Sequence, residues 1–95
     1  MGEERRDRIE TKLRGALDAS HVEVIDESHL HAGHAGARAG GGHFRATIVS
    51  ARFEGLAPVA AQRLVYDVLA DEMGSDIHAL SLKTLTPAAW AARGE

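Results

Sequence analysis

Three of the chain's six histidines fall within six residues, His29-Leu30-His31-Ala32-Gly33-His34, and a fourth, His43, closes the same glycine-rich segment. Imidazole titrates nearer neutral pH than any other side chain and is a common metal ligand. Four such groups around a run ending Gly40-Gly41-Gly42 make a poor core. They are well suited to presenting nitrogen donors to something outside the chain. The remaining two are His21, at the start of an apolar run, and His78, beside Ile77. Each histidine also has an ordinary reading. His21 reads as an exposed junction residue, His29 and His34 as members of a solvated loop, and His43 as a strand-start residue. His78 reads as a half-buried histidine sharing a strand face with Leu80 and Leu82. The spacing matches neither a zinc finger nor the helical His-Glu-x-x-His pair of metalloproteases.

Other chemistries are excluded or unsupported. There is no cysteine, so the chain offers no disulfide, no thiolate ligand and no cysteine nucleophile. No P-loop and no dinucleotide-binding glycine fingerprint is present. The triple glycine precedes a strand, whereas phosphate-cradling loops precede a helix. Ser50 and Ser81 lack a nucleophile context, and the carboxylates are scattered over helix surfaces. Nothing suggests an enzyme. The formal charge of −3 argues against tight non-specific nucleic-acid binding unless the eleven basic residues segregate onto one face. No apolar run approaches membrane-spanning length, and the charged N-terminus does not read as a secretory signal. A soluble, cytoplasmic chain of one domain over residues 1–95 is expected. Its loop at 27–42 is expected to be mobile, and its ends at 1–3 and 92–95 frayed.

The elements that must position the histidines follow from periodicity. Residues 3–19 predict a helix, with Ile9, Leu13, Ala16 and Leu17 in one stripe and Glu4–Arg8 and Glu10–Arg14 as pairs one turn apart. Residues 21–26 predict a strand with Val22 and Val24 on one face. A second strand is expected over 43–50, after a loop far longer than a hairpin turn. Pro58 marks the start of a helix running to about Met73, with Leu64, Val65, Val68, Leu69 and Met73 as its apolar face and Gly74 as a stop. A third strand is expected over 77–84. Thr86-Pro87 should cap a short final helix containing Trp90. The fold class is α+β: helix, strand, strand, helix, strand, short helix, with a three-stranded mixed sheet and helices packed on one face. If the third strand runs parallel to the second, both begin at the edge where the histidine loop ends. His29, His31, His34, His43 and His78 would then share one edge of the sheet.

Taken together, these residues resemble a known family. The run Val24-Ile25-Asp26-Glu27-Ser28-x-x-His31 is followed by His43-Phe44-Arg45, Ile48-Val49-Ser50 and Phe53-Glu54-Gly55-Leu56. Arg63-Leu64-Val65-Tyr66, Ile77-His78-Ala79-Leu80 and Lys83-Thr84-Leu85-Thr86-Pro87-x-x-Trp90 complete the pattern. Their joint order is similar to that of the BolA family. The resemblance implies a class II KH-like fold and a role beside monothiol glutaredoxins, with glutathione, sharing a [2Fe–2S] cluster across the two proteins. It implies His78 as the strand ligand and His31 as the loop ligand, the latter because it follows Glu27-Ser28 at the family offset. Lack of cysteine places the chain in the histidine subgroup. His29, His34 and His43 are auxiliary candidates. Two histidines replace two thiolates on one iron in Rieske-type centres, so the partner must supply the thiolates. Only neutral imidazole binds, so mildly acid pH should weaken the cluster. No cluster is expected to stay tightly bound to the isolated chain, which should be a monomer or weak homodimer. The resemblance also carries an alternative, a DNA-binding regulator of stress or morphology genes, for which Arg45, Arg52, Arg63 and Lys83 are the candidate contacts. The Arg-His-Arg run common on the family's second helix reads Ala61-Gln62-Arg63 here, which lowers that surface's charge.

Overall fold

The computed structural model describes residues 2–27, 42–73 and 77–93. The elements are α1 (Gly2–Ala16), β1 (His21–Asp26), β2 (Gly42–Val49), a 3-10 turn (Ala51–Phe53), α2 (Pro58–Val68), α3 (Ala70–Met73), β3 (Ile77–Leu85) and α4 (Pro87–Ala92). The sheet order is β1-β2-β3, with β1 antiparallel and β3 parallel to β2. β2 and β3 therefore begin at the same edge of the sheet.

In α1 the stripe is Ile9, Leu13 and Leu17, one turn apart and fully buried. Ala16, expected in that stripe, is exposed. The helix ends there because Asp18 adopts φ 48° and turns the chain away. The Ala19 amide then donates to the Arg14 carbonyl at 3.2 Å, the closing bond of a Schellman turn. Asp is among the few residues besides glycine that tolerate this conformation. On the solvent side, Glu10 lies between Arg14 (3.1 Å) and Arg6 (2.9 Å). Hydrogen bonds from Arg14 and then Arg6 hold its carboxyl below the usual range, against an opposing desolvation.

The predicted helix over 58–73 is two helices. Leu69 sits between them at φ −97°, ψ 17°. The Glu72 amide bonds to the Leu69 carbonyl in a tighter i→i+3 arrangement. Leu69 stays fully buried, while Glu72 reaches Lys12 of α1 at 2.9 Å. Val65 is also fully buried, and Leu64, Val68 and Met73 pack against the same cluster. That cluster fills the space between α1, α2 and the sheet face carrying Val22, Val24, Phe44, Ala46 and Ile48. The predicted cap of α4 is formed, since Thr86 Oγ1 accepts from the Ala89 amide at 3.1 Å.

Among the described residues Ser50 is the one buried polar side chain. Its hydroxyl donates to the Leu17 carbonyl at 2.6 Å and accepts from the Arg52 amide at 3.0 Å. Its own amide donates to the Leu85 carbonyl at 3.0 Å. One side chain thus satisfies the last turn of α1 and the start of the 3-10 turn, at the end of the sheet remote from the histidine loop. Ser50→Ala leaves the Leu17 carbonyl buried without its donor. A loss of about 1–3 kcal/mol is expected in a urea titration, with unchanged m-value.

Two carbonyls on the outer rim of β1 are covered. The Arg14 and Arg6 guanidinium groups donate to the Val22 and Val24 carbonyls at 3.4 and 3.5 Å. The Glu27–His43 bond sets the odd-numbered residues of β1 as those hydrogen-bonded to β2, so the Val22 and Val24 carbonyls face the strand's outer side, where the two arginines cover them.

Candidate functional site

The histidine-bearing segment leaves β1 and enters β2 at one point. The Glu27 amide donates to the His43 carbonyl at 2.8 Å, extending the ladder one step beyond Asp26↔Phe44. Gly42 opens β2 and is buried. A β-carbon there would lie 2.6 Å from Phe44 Cε2 and 2.9 Å from Arg5 Nη1, so only glycine fits beneath the ring. The Glu27 carboxylate reaches Arg45 Nε at 3.3 Å and ties the loop's first residue to β2.

The start of β3 lies against this same point. Gly42 pairs with Ile77 and His43 with Ala79, with a register shift between the two pairs. One step along β2 therefore spans two along β3, and His78 is the extra residue, a β-bulge at the strand's first turn of the ladder. Bulges break pleat alternation and commonly re-aim a side chain next to a functional site. The burial pattern agrees: Ile77 is buried and Leu80 and Leu82 pack on the core, which an unbroken two-residue alternation cannot give. The backbone of His78 is thus beside both ends of the histidine segment. His29, His31 and His34 lie outside the described residues, and so does the expected stop at Gly74. His43 is half-buried at the start of β2. Among the described residues no three His, Cys, Asp or Glu side chains gather to hold a metal ion.

Residues 13–89 match the BolA-like protein family. The chain belongs to the BolA-like family. It is 45% identical over 82 residues to human BolA-like protein 1, covering 86% of this chain and 58% of that protein. The chain thus spans little more than half the length of that relative. It is 41% identical over 85 residues to the Escherichia coli DNA-binding transcriptional regulator BolA, covering 90% of this chain and 78% of that one. Among solved structures, the BolA domain of SufE1 from Arabidopsis thaliana superposes with a TM-score of 0.78 at 45% identity, covering 88% of this chain and 93% of that one. The mixed sheet and helix arrangement are those of BolA-domain structures. No helix among the described residues is long and apolar enough to cross a membrane.

Within this BolA-like fold the other predicted contacts separate. Arg45 and Lys83 line a concavity on the sheet face away from the core, with Thr47 and Ser81. Arg52 and Arg63 line another, with Leu56, Ala60, Leu64 and Asp67. The four cations therefore form two pairs, not one patch. His21 is not an exposed junction residue. It is half-buried, and its ring stacks on Trp90 of α4 at 4.5 Å. Arg93 covers that indole at 3.7 Å. The stack holds α4 at the end of the sheet opposite the histidine segment. Only the joint presence of His21 and Trp90 hinted at it, and no spacing rule links two residues so distant in sequence.

Proposed function

We propose that this chain is an iron–sulfur adaptor. It binds a monothiol glutaredoxin and, with that partner's thiolates and glutathione, co-ligates a [2Fe–2S] cluster through His78 and His31. The observation that carries this reading is the bulge at His78, beside both ends of the segment holding His31. The donor set fits the group. A chain without cysteine offers imidazole in place of thiolate, and iron accepts two imidazoles when thiolates complete the cluster. When bound, the cluster supplies a transferable redox centre. The chain's own part is positional: β2 and β3 fix the strand histidine, the Glu27–Arg45 pair anchors the loop, and Gly42 admits the close approach of Phe44. His29, His34 and His43 stand by as alternative ligands or hydrogen-bond donors. Mixing the chain with cluster-loaded monothiol glutaredoxin should change the visible absorption and circular dichroism. Unaltered spectra on mixing would remove the reading.

DNA-binding regulation is the second reading, favoured by the name of the Escherichia coli relative and by the Arg52–Arg63 pair on one concavity. Two cations and a formal charge of −3 support weak binding only. In a salt titration with duplex DNA, log K is expected to fall with log salt at a slope of about −2, two phosphates at roughly 0.9 each. Arg52→Gln with Arg63→Gln should flatten it. A slope several times steeper would favour the regulator.

A further inference from the structure

The sheet has one face turned from the core, and its middle is built unlike the rest of the surface. Arg45 and Thr47 on β2 face Ser81 and Lys83 on β3, in the pairs Arg45↔Ser81 and Thr47↔Lys83. Strand spacing and the two-residue repeat set these four at the corners of a rectangle of about 5 by 7 Å. Cations occupy one diagonal and hydroxyls the other. Together with the Leu82 backbone position they line a shallow concavity of about 290 Å³. Arg45 is bound to Glu27 through Nε. That ion pair engages Nε and leaves the two terminal nitrogens, the fork that suits a tetrahedral or planar oxyanion. Lys83 has no ion pair with any described residue. Hydroxyls donate to an anion without adding charge. Two carboxylates lie nearby: Glu27 itself, and Glu23, which pairs across β1 with Thr47 and is two strands from Lys83. Neither stands between the two cations.

We propose that Arg45, Thr47, Ser81 and Lys83 form a binding site for a phosphate group on the open face of the sheet. The site stands apart from the Arg52–Arg63 concavity and does not depend on cluster ligation. Its ligand is a phosphate monoester or the phosphodiester of a single strand, which share the chemistry recognised here.

The test is a two-dimensional amide and Arg Nε–H spectrum of the full chain, titrated with inorganic phosphate and, separately, with potassium chloride at matched ionic strength. Saturable shifts are expected at Thr47, Ser81 and Lys83 and at the Arg45 Nε–H, with chloride giving none. Arg45→Gln and Lys83→Gln, both on exposed positions, should each weaken phosphate about tenfold, as loss of a charge-assisted hydrogen bond would. Arg63→Gln should leave it unchanged. A single-stranded oligonucleotide supplies the second arm. Tighter binding at the same four residues assigns the phosphodiester, and binding elsewhere or none assigns the monoester. Non-saturating shifts, equal shifts with chloride, or shifts centred on Arg52 and Arg63 would overturn the site.

Discussion

His78→Ala is expected to abolish the spectral change seen when the chain meets cluster-loaded glutaredoxin, while the far-ultraviolet spectrum of the chain stays native. His78 is the extra residue at the start of β3, where the ladder fixes its backbone beside both loop ends. A ligand on a strand cannot be replaced by a neighbour, because the next positions are pinned by the ladder. Loop ligands have no such constraint. His31→Ala should therefore alter the spectrum without erasing it, with His29 or His34 substituting. Removing His31 together with His29 and His34 should match the effect of His78→Ala. A His78→Ala chain that still produced the full visible circular dichroism would place the strand ligand elsewhere. Single alanine changes at His34 and His43 that leave spectrum and lability untouched would confine the ligands to His31 and His78.

Phe44→Ala should be the most damaging apolar truncation near the site. Phe44 is 2% exposed and heads the residues of greatest volume in the core. Its ring lies under Gly42, and its backbone pairs with Asp26 on one side and Leu80 on the other. Truncation of a buried phenylalanine costs about 3–5 kcal/mol. A domain of this size is stable by about 5–14 kcal/mol, so the loss is a third or more of the total in most cases. The thermal midpoint should fall by more than about 12 °C. Calorimetry on wild type and Phe44→Ala measures this. A fall under about 4 °C would mean that the ring contributes little to the core. Because this ring supports the residues flanking the loop, the cluster should also decay faster from the mixed complex.

Much of this was legible in the residues. The alternation of Val22, Glu23 and Val24 bounds β1, and Thr86-Pro87 sets the start of α4 because capping and proline geometry are local. The parallel pairing followed from the helix joining β2 and β3. The break at Leu69 was not legible, since Leu64, Val65, Val68, Leu69 and Met73 satisfy one helical stripe through it. The break coincides with a long-range contact, Glu72 to Lys12, which helical periodicity does not encode. At the strand histidine, the placement of His78 with Leu80 and Leu82 assumed an unbroken pleat. The pleat shifts at that residue, and the sequence did carry a sign of it: Ile77 and Leu80 are both apolar but differ in parity. His21 against Trp90 needed the fold to bring strand and last helix together.

The two arginines on β1 carry a consequence for how copies of this chain meet. Growth of an open-ended fibre by strand docking requires two adhesive rims per molecule, one to receive and one to offer. Here two carbonyls of one rim already accept from guanidinium groups of the same chain, which obstructs docking there. Any intermolecular strand exchange is left with the β3 side alone, and a one-sided joint terminates at a pair. Concentrated solutions should accordingly stop at dimers and stay clear, and Arg6→Ala with Arg14→Ala should remove that ceiling.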